Sequence, residues 1–476
     1  MRFCCLRTMT LFGLAAFLFA TASTAQSENW TQFRGPGGRA TAVSSQTLPA
    51  DIGPENHLLW KSAVAKGHSS PVLFGDRIYL TGFAGKKLTT FALDRKTGKT
   101  LWSQVAPYKK IESMHRVGSP ATSSVTTDGE RVYSFFGSSG LFCYDVDGKA
   151  VWSLRMGPFD NQFGATSSPL LADDRLVMVQ DHDNGSFLAA FDKRTGKELW
   201  RADRTSFRRN YGTPVLWDVA GETQVVVLGT SQVTAYDIDT GDRIWTVRGT
   251  TRVSSNTPVI GGDGMLYVAT TGGSSAPGQP TFQQLIATAD ANTNKLLEPK
   301  ELPGSPIKSF FGQFDRDKDG SLNETEYETI REVFALSRSV ALRIRPGGRG
   351  DITKTHVDWE YTKSVPRNSS PVYANGLLFM VKDGGVLTSL DAKTGKVTKQ
   401  GRLAGTGTYY SSPVVGDGKI YFLNQKGQLT VITAEADWKQ LATAEFGEDC
   451  LATPAIVDGR IYIRTVANLY CFGAAK

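Results

Sequence analysis

The stretch that decides the fold spans residues 69–102 and reads SSPVLFGDRIYLTGFAGKKLTTFALDRKTGKTLW. Short apolar runs alternate in it with turn residues such as Gly75-Asp76 and Thr97-Gly98-Lys99. This alternation predicts three or four short antiparallel strands that end near Trp102. One such unit has two open sheet edges and a half-covered apolar face, so it needs neighbours of its own kind to be stable.

The unit recurs along the whole chain. A Ser-Pro or Thr-Pro step marks each copy, and the prolines are Pro71, Pro120, Pro169, Pro214, Pro258, Pro371, Pro413 and Pro454. The interval is about 45 residues, apart from one of about 113 between the fifth and sixth copies. Eight copies of a four-stranded unit predict an all-β fold, an eight-bladed β-propeller.

Residues 1–25 have the pattern of an export signal peptide. Arg2 and Arg7 precede an apolar run over residues 9–20, and residues 23–25 fit a cleavage site. A retained membrane anchor is the alternative, although the run is short for a membrane span. No cysteine follows the run to accept a lipid. We therefore expect a periplasmic or secreted protein with no stable membrane span after the signal is removed.

The mature chain divides into a short leader and one large ring. Residues 26–57 are rich in glycine and polar side chains, and we predict that they wrap the outside of the ring. The propeller is predicted to cover residues 58–476. Its first strand, around Trp60, has no blade of its own, whereas the last copy supplies only three strands. Pairing of the two would close the ring.

Charge and cysteine content exclude several classes of protein. The net charge is +7 over 476 residues, and the densest basic stretch, residues 201–209, is short enough to be a solvated connection. We therefore predict no nucleic-acid binding. Only Cys143, Cys450 and Cys471 remain after the signal peptide, an odd number without metal-binding spacing. They predict neither a disulfide framework nor a zinc site.

Two segments resemble a known superfamily. The pattern Asp-x-x-Thr-Gly-Lys-x-x-Trp occurs at residues 94–102 and 192–200. It resembles the tryptophan-docking repeat of the PQQ-like propellers, which include the quinoprotein alcohol dehydrogenases and the outer-membrane assembly factor BamB. Residues 32–36, QFRGP, resemble the opening of a planctomycete-type branch of secreted, BamB-like PQQ-repeat proteins. The resemblance covers nearly all of the mature chain except the insertion, and it implies a fold rather than a function.

The long interval predicts an insertion between the second and third strands of the fifth copy. We expect a small α-helical EF-hand subdomain there, over residues 276–338. Residues 315–326 match a calcium loop at every liganding position, and Gly320 permits the bend at the sixth. The predicted calcium ligands are Asp315, Asp317, Asp319, Ser321, Asn323 and Glu326. An acidic surface turn is the alternative.

A weaker second loop precedes the first at residues 290–301. Its predicted ligands are Asp290, Asn292, Asn294 and Glu301. Leu297 matches Leu322 at the eighth position, where paired loops pack together. Lys295 stands where glycine is expected and would need a strained positive φ. We interpret the loop as a degenerate partner of the first, and its own calcium binding stays open.

Residues just before each innermost strand are expected to line the mouth of the axial channel. The predicted ligand-binding residues are His68, His115, Arg116, Arg209, Tyr211, Arg252, Arg367, Asn368 and Tyr409. Such a basic and aromatic set suits a small anionic or planar ligand, and a solvated rim is the alternative. Loops between second and third strands open on the same face, so we expect the insertion to overhang this mouth.

Two function classes remain. A PQQ-dependent quinoprotein dehydrogenase would need a PQQ pocket, a calcium ion in the propeller itself and a catalytic carboxylate. The vicinal cysteine pair typical of many such enzymes is absent from the mature chain, and we assign no catalytic residue. A binding module needs only a rigid face for protein partners. The sequence therefore favours an exported, calcium-binding scaffold over an enzyme, with Ca²⁺ as its ion and PQQ not expected.

Overall fold

The computed structural model describes Met1 and residues 28–43, 46–183, 185–272, 278–302, 307–308 and 311–474. The predicted signal peptide therefore lies outside the described residues apart from Met1. Within them the strands form eight separate sheets, seven of four strands and one of five. The predicted eight-bladed β-propeller is confirmed.

The blades follow one another along the chain, each built of antiparallel neighbours from its innermost to its outermost strand. A first strand, β1 (Leu58–Ala63), precedes blade one. Blade one consists of β2 (Val72–Phe74), β3 (Arg77–Ala84), β4 (Lys87–Asp94) and β5 (Thr100–Ala106), and blade two of β6 (Thr126–Thr127), β7 (Arg131–Phe135), β8 (Leu141–Asp145) and β9 (Ala150–Leu154). Blade three consists of β10 (Leu170–Ala172), β11 (Arg175–Gln180), β12 (Phe187–Asp192) and β13 (Glu198–Asp203), and blade four of β14 (Val215–Val219), β15 (Glu222–Gly229), β16 (Gln232–Asp237) and β17 (Arg243–Arg248).

Blades five to eight include the insertion and the ring closure. Blade five consists of β18 (Val259–Ile260), β19 (Leu266–Thr270), β20 (Val340–Ile344) and β22 (Val357–Tyr361), and blade six of β23 (Val372–Ala374), β24 (Leu377–Lys382), β25 (Val386–Asp391) and β26 (Val397–Arg402). Blade seven consists of β27 (Val414–Gly416), β28 (Lys419–Leu423), β29 (Gln428–Thr433) and β30 (Gln440–Glu445). The last copy supplies β31 (Ala455–Val457), β32 (Arg460–Arg464) and β33 (Asn468–Gly473) to blade eight. The helices are α1 (Phe282–Ala289), α2 (Phe311–Phe314), α3 (Glu324–Leu336) and α4 (Thr353–His356). A short strand, β21 (Gly350–Asp351), adds a fifth, parallel strand to blade four.

The two ends of the chain meet in blade eight. Strand β1 pairs antiparallel with β33, with Trp60 opposite Cys471, and the sheet order is β1-β33-β32-β31. The N-terminal strand thus supplies the outermost strand that the last copy lacks, as predicted. The ring has no open seam, and the edge of β33 that would otherwise be unpaired is covered.

Tryptophans on the outermost strands join neighbouring blades. The rings of Trp60, Trp102, Trp152, Trp200 and Trp359 lie against Gly98, Gly148, Gly196, Gly241 and Gly395 of the next blade. Their Nε1 groups donate to backbone carbonyls of that blade over 2.8 to 3.2 Å. Trp245, also on an outermost repeat strand, differs from these five. It is 1% exposed and its Nε1 donates to Gln224, because strand β21 continues the sheet beyond it.

Substitution of Gly148 by alanine is expected to destabilise the propeller by about 2–4 kcal/mol. Gly148 has φ +87°, and a Cβ there would lie 2.6 Å from Cδ2 of Trp102. Gly418 is the matched control, because it has φ +66° and nothing within 4 Å of its Cβ position. Gly418→Ala should cost only the backbone strain, about 1–2 kcal/mol. Urea unfolding of both variants measures the difference, and equal losses would contradict the role given to the ring contact.

Residues 28–43 of the N-terminal segment differ from the prediction, because they enter the ring instead of wrapping the outside. Trp30 pairs with Leu73 of β2, and Ala40 and Ala42 bond to Val415 of β27 on another side of the ring. The turn at residues 36–38 contacts β14 and β18. Only a segment on the axis reaches so many innermost strands. We call residues 28–43 the axial plug.

Free strand edges explain this path. The innermost strand of each blade has an unpaired row of N–H and C=O groups facing the axis. The plug satisfies part of this row with its own backbone. Gly35 makes the tight turn possible, since a Cβ there would lie 2.5 Å from the ring of Trp30. Composition alone shows that the segment is turn-rich, whereas its route is set by the blades around it.

The second copy begins at a different point from the one predicted by its proline. Strand β6 starts after Val125, and Thr126 pairs with Tyr133 as Val72 pairs with Tyr79 in blade one. Pro120 lies in the preceding loop. The Ser-Ser step at residues 123–124, and not the Ser-Pro step, is therefore the equivalent of Ser69-Ser70.

Candidate functional site

A closed ring of hydrogen bonds surrounds the axial channel. In each blade a serine or threonine lies two residues before the innermost strand. Its backbone N–H donates to the side-chain hydroxyl of the equivalent residue in the next blade. The members in order are Ser70, Ser124, Ser168, Thr213, Thr257, Ser370, Ser412 and Thr453. Thr453 donates back to Ser70, and the eight N···O distances are 2.8 to 3.2 Å. We call this the hydroxyl ring. Because each hydroxyl oxygen already accepts an N–H, its own proton remains available for another acceptor.

A cavity of about 580 Å³ extends from the hydroxyl ring to the mouth. Its wall is built from the loops before the innermost strands, with contributions from every blade. Phe33 of the axial plug lies among the lining residues. The plug therefore limits the cavity on the side away from the mouth, so that the channel is a pocket and not an open pore.

Six of the predicted ligand-binding residues line this cavity. They are His68, His115, Tyr211, Arg252, Arg367 and Asn368. Burial, with a further contribution from the Arg464 cation, lowers the pKa of His68 to about 4. The imidazole of His68 is therefore neutral at neutral pH. Positive charge in the cavity comes from Arg252 and Arg367.

The other three predicted residues do not line it. Arg116 is exposed on the rim. Arg209 forms an ion pair with Asp183 at 2.6 Å. Tyr409 is 1% exposed, and its hydroxyl donates to the carbonyl of Gly405 at 2.5 Å. The neighbouring Tyr410 takes the position expected of Tyr409.

Asp383 lines the cavity and was not predicted. It lies in the tight loop between β24 and β25, and its carboxylate accepts the N–H of Tyr409 at 3.0 Å. Burial and the nearby Asp383 charge raise the pKa of Tyr410, against the effect of Arg367. The Asp383-Gly384-Gly385 turn was a usable signal, because loops between second and third strands open on this face.

The inserted lobe packs against the mouth through α3. The hydroxyl of Ser231 in blade four donates to the carbonyl of Val333 at 3.2 Å. The guanidinium of the cavity residue Arg252 lies 4.8 Å from the ring centre of Phe334. Arg208 lies in the same way over Phe314, at 5.5 Å. The end of α3 thus touches a side chain that lines the cavity.

The first predicted calcium loop brings three carboxylates together. Ligand oxygens of Asp315, Asp317 and Glu326 lie within 4.8 Å of one another. Backbone N–H groups hold two of them, from Gly320 to Asp315 at 3.1 Å and from Arg316 to Glu326 at 2.7 Å. Oδ1 of Asp315 is buried and has no partner among the described residues. An oxygen-only set with an unsatisfied buried carboxylate suits a hard cation such as Ca²⁺.

The remaining predicted ligands of this loop are engaged locally. Asp319 accepts hydrogen bonds from the N–H and the hydroxyl of Ser321, at 2.8 and 2.6 Å. These bonds lower the pKa of Asp319. The Asn323 side chain accepts the N–H of Glu326 at 3.0 Å and caps α3. Ligand residues and the first turn of α3 are therefore one hydrogen-bonded unit.

The second loop repeats the hydrogen bonds of the first. The N–H of Lys295 donates to Asp290 at 2.9 Å, and that of Ala291 donates to Glu301 at 3.1 Å. These match the bonds at the sixth and second positions of the first loop. Lys295 has φ +61°, so it adopts the conformation expected of the missing glycine. Oδ1 of Asp290 is again buried without a partner among the described residues.

The two loops are joined back to back. Leu297 and Leu322, at the eighth position of each loop, exchange two backbone hydrogen bonds of 3.0 and 2.8 Å. In the second loop the amide nitrogens of Asn292 and Asn294 both donate to Glu298. Their side-chain oxygens accept the backbone N–H groups of Asn294 and Leu296 at 3.1 and 2.8 Å. The second loop is therefore a structural match for the first, with two neutral amides in place of Asp317 and Asp319.

No helix in the described part of the chain is long and apolar enough to cross a membrane.

Comparison with known proteins agrees with this architecture. The family model described as "Outer membrane protein assembly factor BamB" matches residues 86–310 and 351–476. A protein of that name from Burkholderia pseudomallei (strain K96243) is 25% identical over 357 residues, which cover 69% of this chain and 86% of the relative. The crystal structure of BamB from Moraxella catarrhalis matches with a TM-score of 0.54 and 12% identity, over 87% of this chain and 98% of that chain.

A shorter similarity points to an enzyme group. The quinohemoprotein alcohol dehydrogenase ADH IIB of Pseudomonas putida is 24% identical over 140 residues, which are 29% of this chain and 20% of that enzyme. This match is confined to a few blades, whereas the family model spans the propeller on both sides of the insertion. The chain therefore belongs to the BamB family of PQQ-like β-propellers.

Proposed function

We propose that this protein is an exported, calcium-binding propeller that serves as a scaffold for protein partners or a small ligand. Calcium would hold the two loops and α3 in place over the mouth. The observation that carries the proposal is the buried, unpartnered oxygen of Asp315 beside Asp317 and Glu326. An unpaired buried carboxylate oxygen is costly unless a cation or another donor satisfies it.

Family membership supports the scaffold role. The relatives are named as outer membrane protein assembly factors, and that name implies partner proteins and a place at the cell envelope. We extend both features to this chain, namely protein partners and a periplasmic or secreted location. A closed ring of eight blades offers a broad, rigid face for such contacts.

Calcium is expected to raise the stability of the lobe. At 10 mM Ca²⁺ and a dissociation constant of about 10⁻⁴ M, mass action adds about 2.7 kcal/mol. Calorimetric unfolding of the mature protein in calcium and in EGTA measures the shift. Limited proteolysis at residues 278–338 reports on the lobe alone, which should be protected by calcium and not by magnesium at equal concentration. Unchanged unfolding and unchanged proteolysis would refute the proposal.

A PQQ-dependent dehydrogenase is the second candidate. The cavity with Arg252, Arg367 and Asp383 and the partial match to an alcohol dehydrogenase favour it. Reconstitution with PQQ and Ca²⁺ should give no stoichiometric quinone spectrum and no dye-linked alcohol oxidation if the scaffold proposal is correct. A bound quinone spectrum with turnover would replace the scaffold with the enzyme.

A further inference from the structure

Six cations lie together on the mouth face, on or beside three connections of blades one and two. These connections are residues 64–71 before β2, residues 85–86 between β3 and β4, and residues 107–125 before β6. In an antiparallel blade, the connections before the first strand and between the second and third strands open on the same face. All six side chains are exposed, and they are Lys66, Lys86, Lys87, Lys109, Lys110 and Arg116. We call them the basic patch.

Hydrogen bonds and packing join these connections. The hydroxyl of Tyr108 donates to the carbonyl of Lys86 at 2.6 Å. The N–H of Phe83, near the end of β3, donates to the carbonyl of Lys66 at 2.6 Å. Phe83, Tyr108 and Ile111 are partly buried and pack against one small apolar core. The lysines of the patch therefore project from connected, anchored segments.

The charge of the basic patch is not neutralised by ion pairs. None of the six side chains pairs with a carboxylate among the described residues. Glu112 is the only acidic residue in the sequence of the three connections. Its carboxylate accepts the backbone N–H of Ser138, so it is held by another loop. Like charges that are fixed close together repel each other, and a counter-charge from outside relieves this repulsion.

The opposite face of the ring, which we call the far face, is organised differently. Its turns connect the first strand to the second and the third to the fourth, and they carry aspartates beside the cations. Arg77 pairs with Asp147 at 2.8 Å, and Lys193 pairs with Asp128 at 3.0 Å. The basic patch is therefore a local property of the mouth face and does not follow from the net charge of +7 alone.

The side chains of the three connections favour a protein partner over a membrane. Proteins that lie on a bilayer add apolar side chains that enter the interface. None of the exposed large apolar side chains of the described residues lies on these connections. Lysine supplies every charge of the patch except that of Arg116. It is a compact charge on a flexible stem, without the fork that arginine uses for a phosphate group. Such charges suit several carboxylates spread along a chain.

We propose that the basic patch docks an acidic segment of a partner protein, in which aspartate or glutamate side chains recur along an extended chain. His115, next to Arg116 in the sequence, lines the cavity, so the docked segment would run along the edge of the mouth. Charge complementarity of this kind speeds the encounter and selects the partner. The inference rests on the scaffold part of the proposed function, and it does not require the calcium loops.

The test is binding of a fluorescein-labelled poly-glutamate peptide to the mature protein, measured by fluorescence anisotropy in EGTA. Binding by the wild type should saturate at about 50 mM NaCl and weaken at least about tenfold at about 300 mM, because salt screens exposed charges. An absence of saturable binding would overturn the docking site. Calcium is absent from this experiment, so that result would not bear on the calcium-dependent stability of the lobe.

Two charge-reversal variants locate the binding. Lys109→Glu with Lys110→Glu should weaken it at least about tenfold, since two attractive contacts become repulsive. Lys96→Glu with Lys99→Glu makes the same change of charge at exposed positions of the far face. It should weaken binding less than about threefold, because solvent and salt screen charges at that distance. All four lysines are exposed, so both variants should fold. Equal losses in the two variants would overturn the proposal, because binding would then follow the net charge.

Vesicles separate a protein partner from a membrane. The wild type is floated with phosphatidylcholine vesicles that contain phosphatidylglycerol, in the buffer used for the peptide. Peptide binding without flotation is the expected result. Flotation without saturable peptide binding would overturn the proposal in favour of an anionic bilayer.

Discussion

Replacing Glu326 with glutamine is expected to weaken calcium binding to the inserted lobe about 100-fold, because the last ligand of the loop loses its charge and its two-oxygen grip. The substitution keeps the shape of the side chain. Glutamine can still accept the N–H of Arg316 or Asn323, which bond to the two Glu326 oxygens at 2.7 and 3.1 Å. The fold of the loop should therefore survive while the ion is lost. Isothermal titration with CaCl₂ measures the change.

Glu324 provides the matched control. It lies two residues earlier in the first turn of α3 and is exposed. Glu324→Gln removes the same charge and should change the affinity by less than about threefold, since an exposed charge is screened by solvent. A similar loss in both variants would mean that calcium responds to the general acidity of the lobe. An unchanged affinity in Glu326→Gln would refute the assigned ligand.

Replacing Asp181 with asparagine is expected to lower the free energy of unfolding by about 3–5 kcal/mol, because a buried cation loses its counter-charge. Asp181 and Arg204 form a two-bond ion pair of 2.8 and 2.7 Å, and both side chains are 0% exposed. Arg204 also donates to Tyr236 of blade four at 2.6 Å. The pair thus fastens blade three to blade four. Urea unfolding measures the loss.

Two further variants separate burial from charge. Asp239 pairs with Arg175 at 2.7 Å but is 68% exposed, so Asp239→Asn should cost less than about 1 kcal/mol. The double variant Asp181→Leu with Arg204→Leu removes both charges together. It should be markedly more stable than Asp181→Asn, since an apolar pair leaves no unpaired ion. A double variant as unstable as Asp181→Asn would show that packing, and not the lost charge, causes the effect.

Local signals explain why the ring was predictable. Turn residues that tolerate positive φ mark the hairpins of the blades, as at Asn375 (+52°) and Asp458 (+47°). Thr-Gly turns, against which a tryptophan ring of the preceding blade packs, mark several outermost hairpins. These features depend on neighbours in sequence. Because the last copy has only three strands of its own, a fourth strand had to come from another part of the chain. The matching eighth positions of the two loops, Leu297 and Leu322, were visible in the same way.

Features that depend on the assembled ring were not predictable. The route of the axial plug follows from free strand edges in several blades, and no pattern within residues 28–43 encodes those edges. The hydrogen bond from the Tyr409 N–H to Asp383 joins blade six to the loop before blade seven, so it depends on the assembled ring. Tyr409 and Tyr410 are adjacent in the loop before β27, and the hydrogen bond from the Tyr409 hydroxyl to Gly405 fixes Tyr409 inside while Tyr410 lines the cavity. The proline spacing misplaced blade two because Pro120 is an unrelated Ser-Pro step.

The position of the axial plug before β1 has a mechanical consequence. A pull on the chain at residue 28 first meets the hydrogen bonds that Glu28 exchanges with Asp458 in blade eight. It next meets the backbone pairing of Trp30 with Leu73. Strand β1, the clasp that completes the sheet of blade eight, lies behind both. Tension from a tether at this end would therefore be carried along the axis of the ring before it could peel the clasp open.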